Sequence, residues 1–272
     1  MRAIRDRRFV LAALAMLGAG VLLAPSPTAA QQSPGLESRF TYYYKDPRPE
    51  RLVGFFDDYQ KLPAAQQPGA YPPVAGFFAV IFRGHPEQID KLLPARLNPK
   101  SAETLAAALR LSGNQAAADK FQARLKATGH DGELATAFAG LPAKLEDLKI
   151  TAPYHLDILW GAAFASGDGK FVIMIIDYFA RTANRSEPIA LDIGHTVIAM
   201  SGGSEEILGE LRGRYGDDGA RQIIFAATAL WAVASNARQH AFVNTVLGQY
   251  IDAHPGTPAQ KALAALRPKP QP

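Results

Sequence analysis

The sequence predicts an all-α protein. Three observations carry the prediction. Apolar residues recur at steps of three and four through most of the chain, glycine or asparagine stands where helices would end, and few alternating runs suggest a strand. The architecture expected is a set of stacked helical hairpins, as an irregular α-solenoid or a compact helical array.

The N-terminus comes first. Residues Met1–Arg8 carry four arginines against one acid, Asp6, and Phe9–Ala24 form an uncharged run of 16 residues closed by Pro25. The small residues Thr28-Ala29-Ala30 complete the order of a secretory signal peptide, with cleavage expected after Ala30. The run falls short of the ~20 residues that span a bilayer core. Removal of 1–30 would leave a periplasmic or secreted protein without a transmembrane segment. The chain has 29 basic and 25 acidic residues, and this segment holds four and one of them, leaving 25 against 24. A nearly neutral chain does not concentrate phosphates or anionic lipid, so nucleic acid is not an expected partner. The chain has no cysteine, which excludes disulfides, thiolate nucleophiles and cysteine-ligated metals.

Residues 31–45 are expected to form an extended arm. The three consecutive tyrosines of Phe40-Thr41-Tyr42-Tyr43-Tyr44 cannot all face inward. The arm either packs across the first helix or offers a sticky edge. Asp46-Pro47 is placed to start a helix carrying Leu52, Phe55, Phe56 and Tyr59, and the prolines and glycine of 63–73 predict a loop. A helical-hairpin domain is expected over 46–266, with 267–272, RPKPQP, as a disordered tail.

Within that domain a pattern recurs. The segments 77–93, 105–121 and 158–176 each read as a helix, a glycine, a polar turn and a second helix, around Gly84, Gly113 and Gly167. Five and eight residues after each glycine the chain is apolar: Ile89 and Leu92, Ala118 and Phe121, Val172 and Ile175. A fourth copy over 227–247 has Asn236 in place of the glycine. This grammar resembles tetratricopeptide-type repeats, which implies helical hairpins stacked on one another. The spacings of 29, 54 and 69 residues depart from that family's period of about 34. Ile189, Leu191 and Ile193 alternate as in a strand, yet 191–200 reads equally as helix, and helix is the reading taken. The run 223–234 is too short to cross a membrane and reads as a core helix. The aromatics Phe55, Phe56, Phe77, Phe78, Trp160, Phe164, Tyr178, Phe179 and Trp231 fall at core-like positions.

The polar candidates lie near the hairpin tips. Asp157-Ile158-Leu159-Trp160 through Asp168, and Trp231 through Asn236-Ala237-Arg238-Gln239-His240, resemble segments of exported bacterial proteins of unassigned function. Asn236 is expected to cap the second helix of its hairpin, with Gln239 closing a capping box. Arg238 and His240 would then stand at the tip, suited to an anionic or peptide ligand. Asp157, Trp160, Asp168, Asn236, Arg238 and His240 are the candidate binding residues. The close carboxylate–imidazole pairs are His155/Asp157 and Asp192/His195. If they met, they would make a hydrolytic or metal site, although residues two apart on a helix face different ways. Ser201 to Ser204 fits no nucleophile motif, Ser204 reads as a helix cap, and Asp217-Asp218-Gly219 lacks the further acids of a calcium loop. No cofactor is expected. The function this supports is an exported helical scaffold that binds a peptide or protein, and the alternative is an enzyme built on His155, Asp157, Asp192 and His195.

Overall fold

The computed structural model describes residues 34–130, 132, 140–202 and 206–268. The expected signal peptide at 1–30, the cap at Ser204 and residues 269–272 of the expected tail lie outside the described residues. Among the described residues the protein is an all-α helical array without strands. It divides into two compact units, residues 1–168 and 169–272.

The first unit opens with α1, Pro34–Phe40, so the arm expected to be extended is helical there. One side chain explains the docking. Arg39 donates to the carbonyls of Arg51 at 2.8 Å and Val53 at 3.2 Å and to Asp58 at 3.1 Å, and its guanidinium lies over the Phe55 ring. Phe40 stacks on Phe77 at 4.8 Å, and Tyr43 meets Phe77 edge-on at 5.2 Å. The arm therefore packs across the helices that follow. Of the three tyrosines, Tyr43 alone is buried. The single helix expected from Asp46 is split at Gly54, whose φ of 75° suits a residue without a Cβ. A 3₁₀ turn, Pro49–Leu52, precedes the break and α2, Phe55–Tyr59, follows it.

Helix α3, Tyr71–Gly84, starts inside the stretch expected as loop. Pro72 and Pro73 fall in its first turn, where a missing N–H breaks no intrahelical bond. After α4, Ile89–Leu92, the hairpin of α5, Pro99–Ser112, and α6, Gln115–Ala127, follows the sequence closely. Asn98 and Asn114 accept N-terminal amides at 2.8 and 3.1 Å, and Gly113 takes the left-handed conformation, φ 77°, at the end of α5. Arg83 ties α3 to the end of α5 by donating to the carbonyls of Leu111 and Ser112 at 3.0 and 3.1 Å, and it pairs with Glu146. These are the carbonyls a helix leaves without internal partners.

The unit closes with α7, Pro153–Ser166, ended by Gly167 at φ 65°. Helices α3 and α7 cross backbone against backbone. A Cβ on Gly76 would stand 1.8 Å from the Ile158 carbonyl oxygen, and one on Gly161 would stand 1.7 Å from that of Pro73. Neither place admits a methyl group. Every residue of α7 from His155 to Ala165 is buried, Trp160 completely.

The second unit comprises α8, Gly169–Ala183; α9, Glu187–Gly202; α10, Glu206–Gln239; α11, Ala241–Ala253; and α12, Pro258–Leu266. The other four helices all contact α10. The segment from 189 to 200 is helix. Gly216, at φ 68° and ψ 177°, kinks α10 into two helical parts. The break expected at Asn236 is not there: Asn236 is buried inside α10, and its Nδ2 donates to the Ala232 carbonyl at 2.9 Å, a bond that the helical backbone makes available. No capping box forms with Gln239. The chain turns instead at His240, whose backbone is extended. Trp231, expected in the core, is half-buried, as is Tyr178. The register counted from the three glycines holds, since all six positions five and eight residues beyond them are buried.

Candidate functional site

The six residues proposed from sequence separate by burial. Asp157 and Trp160 lie one turn apart inside α7 and are both buried, whereas Asp168 is exposed past the end of that helix, where its amide donates to Ser166 Oγ at 3.0 Å. In the second unit Asn236 and His240 are buried and Arg238 is exposed. His240 marks the start of α11, and its carbonyl accepts the Val243 amide at 3.0 Å. Asp157 and Trp160, then, are interior groups rather than an open binding surface.

The polar groups of α7 are unusual for their burial. His155 sits in the first turn, and its Nδ1 accepts the amides of Thr151 at 3.1 Å and Ala152 at 3.3 Å. That is the returning half of a capping box. Two donors on Nδ1 place the ring proton on Nε2, a buried atom with no hydrogen-bond partner among the described residues. Burial lowers the imidazole to a pKa of about 4 and raises the Asp157 carboxyl to about 7. The Trp160 indole N–H is also buried without a partner, and its ring stacks on Phe164 at 5.9 Å.

Asp192 has a different role. Its carboxylate takes Arg214 Nη1 at 2.7 Å on both oxygens and the Tyr215 hydroxyl at 2.7 Å. The hydrogen bond to Asp192 holds the Tyr215 phenol above its ordinary value. This cluster fastens α9 to α10 just before the Gly216 break. His195, one turn beyond Asp192, is exposed. Among the described residues no group of three His, Asp or Glu side chains is arranged to hold a metal, and no helix is long and apolar enough to cross a membrane.

Among the described residues the two most exposed large aliphatic side chains lie on the outer side of α9. Its inner side buries Ala190, Ile193, Thr196 and Val197. Its outer side carries Leu191, 60% exposed, and Ile198, 71% exposed, with exposed His195 between them. Gly194 lies in the same row, and a Cβ there would meet nothing within 4 Å among the described residues. Residues 191, 194, 195 and 198 share one helical face. The candidates from sequence are polar residues near the hairpin tips, so this apolar face is not among them. Once 191–200 is read as helix, the seven-residue step from Leu191 to Ile198 on an otherwise apolar helix is the signal. A shallow depression in the first unit, lined by Asp57, Gln60, Arg96 and Asn98, is open to solvent and shows no convergent catalytic groups.

Comparison with known protein families, with curated proteins and with solved structures finds no match.

Proposed function

We propose that this chain is an exported helical scaffold that acts by binding a protein or peptide at the outer face of α9. The observation that carries the reading is the exposure of Leu191 and Ile198 on a helix whose opposite side is already packed. A helix apolar on all sides belongs in an interior, and an exposed row of large aliphatic residues marks a surface that is covered in the working assembly. Export is supported by the order of charge, apolar run and small residues over 1–30. The enzyme alternative draws less support. His155 spends Nδ1 on backbone amides, and Asp192 is engaged by Arg214 and Tyr215.

The test is affinity recovery from a periplasmic extract with the purified protein and with its Leu191→Glu/Ile198→Glu variant. The double variant should keep the far-ultraviolet spectrum and melting temperature of the parent and lose the partner. Equal recovery by both proteins rules out α9 as the binding face. Intact mass of the protein recovered from that compartment is expected to begin at Gln31, and retention of Met1–Ala30 would refute the export reading.

A further inference from the structure

We infer that the occupant of the α9 face is a second copy of this chain, with the two α9 helices crossing antiparallel over Gly194. This rests on the binding reading above and names its partner.

The argument begins with symmetry. Leu191 stands three residues before Gly194, and Ile198 stands three residues after His195. A two-fold axis between Gly194 and His195 therefore lays Leu191 of one copy beside Ile198 of the other, and the reverse. It also sets the His195 ring of each copy over Gly194 of its mate, where the space is open. A two-fold interface must be complementary to itself, and a row with bulk at both ends and one gap beside one ring at the centre meets that condition.

Charge points the same way. The exposed row carries no carboxylate, ammonium or guanidinium. The nearest charges on α9 are already matched within the unit: Glu187 pairs with Lys261 at 2.5 Å, and Asp192 with Arg214. A partner that brought charges to this row would leave them without a counter-charge, whereas a second copy brings none. Close helix approach through glycine is a device this chain already uses, since Gly76 and Gly161 let α3 and α7 meet at backbone distance. At Gly194 the same opening is unfilled. One helical row offers far less than the roughly 800 Å² per partner of a standard interface, so the dimer is weak and depends on concentration.

The absence of cysteine makes the geometry directly testable. Sedimentation equilibrium of the whole chain from about 10 µM to about 1 mM is expected to show the mass rising from monomer toward dimer, a range that suits a weak interface. Ile198→Glu should weaken the association at least about tenfold, the effect of 1.4 kcal/mol. Gly194→Leu, which fills the gap on an exposed turn, should weaken it while the monomer melts no lower than the parent. A mixture of Leu191→Cys and Ile198→Cys proteins under mild oxidation should form the mixed cross-link, and neither protein alone should. Cross-linking of each variant with itself but not with the other would mean parallel pairing and overturn the proposal. Association unaffected by Ile198→Glu would place the dimer elsewhere and overturn it too. A monomer at all concentrations whose partner recovery still depends on Leu191 and Ile198 defeats self-pairing and leaves the scaffold reading standing. A monomer whose recovery is indifferent to both residues defeats both.

Discussion

Helices α7 and α9 are near equals in composition and opposites in circumstance. Each is apolar on nearly every side and carries a mid-helix glycine. In α7 the glycine is filled: Gly161 touches the Pro73 carbonyl, and the helix is buried from His155 to Ala165. In α9 nothing among the described residues approaches Gly194, and the residues that flank it in the row, Leu191 and Ile198, are exposed. The difference teaches that hydrophobicity fixes how much surface a helix needs covered, while the neighbours decide whether the chain itself supplies the cover.

The sharpest way to break the comparison is at the two glycines. Gly161→Ala puts a methyl group where a carbonyl oxygen stands, so α3 and α7 must part along their contact. It should cost about 5 kcal/mol or more and leave little folded protein, an exceptional value for one methyl group. A urea midpoint near that of the parent would show that the two backbones do not touch.

The next largest effect is expected at Trp160. Trp160→Ala should cost about 3–5 kcal/mol, because it empties a site with no solvent access. Trp231→Ala should cost less than half as much, since its ring is half-buried. Equal losses in chemical denaturation would show that the two tryptophans share one environment.

The interior of α7 also predicts a pH dependence. Burial raises the Asp157 carboxyl to about 7 and lowers the His155 imidazole to about 4. Between these values, up to the ordinary histidine range near 6.5, the unfolded chain keeps a proton on His155 and the folded chain keeps one on Asp157. The two contributions to stability have opposite slopes there and offset each other. Asp157→Asn removes the falling slope, so stability relative to the parent should rise with pH from about 4 to 7. The slope is bounded by one proton, about 1.4 kcal/mol per pH unit. His155→Gln removes the rising slope, and stability relative to the parent should fall as pH climbs from about 4 toward 6.5. Urea melts of the three proteins across this window measure the slopes, and variants that both parallel the parent would refute the burial of these groups.

The smallest effects belong to the exposed positions. Gly194→Ala should raise monomer stability by about 0.5–1 kcal/mol, the ordinary gain for a helical glycine with open space at its Cβ, in contrast to its counterpart at 161. A loss of stability there would mean that a neighbour already occupies the space. Arg238→Ala should change the melting free energy by less than about 0.5 kcal/mol, as for a surface residue without a special role. Unfolding on that substitution would make Arg238 structural.

Much of the fold was legible in local chemistry. Asn98, Asn114 and Gly113 carry their capping instructions in their own side chains or in the lack of one, and the six register positions after Gly84, Gly113 and Gly167 follow from helical periodicity. The candidate site was much less legible. Trp160 reads as a core aromatic and is one, whereas Asp157 reads as a binding residue because a carboxylate suggests solvent, and its burial comes from what packs against α7. Asn236 read as a cap because asparagine favours helix ends, yet its amide is satisfied just as well by a carbonyl one turn back.

The sequence by itself determined that the chain is helical, that helices stop at Gly84, Gly113 and Gly167, and which residues beyond those turns are buried, since these depend on backbone propensity and spacing within a few residues. Only the tertiary structure decided that Gly76 and Gly161 meet a carbonyl while Gly194 meets no described residue, and that α7 is enclosed while Leu191 and Ile198 of α9 stay exposed. Close approach is a relation between segments more than eighty residues apart, and no local pattern specifies which apolar face will find its cover within the same chain.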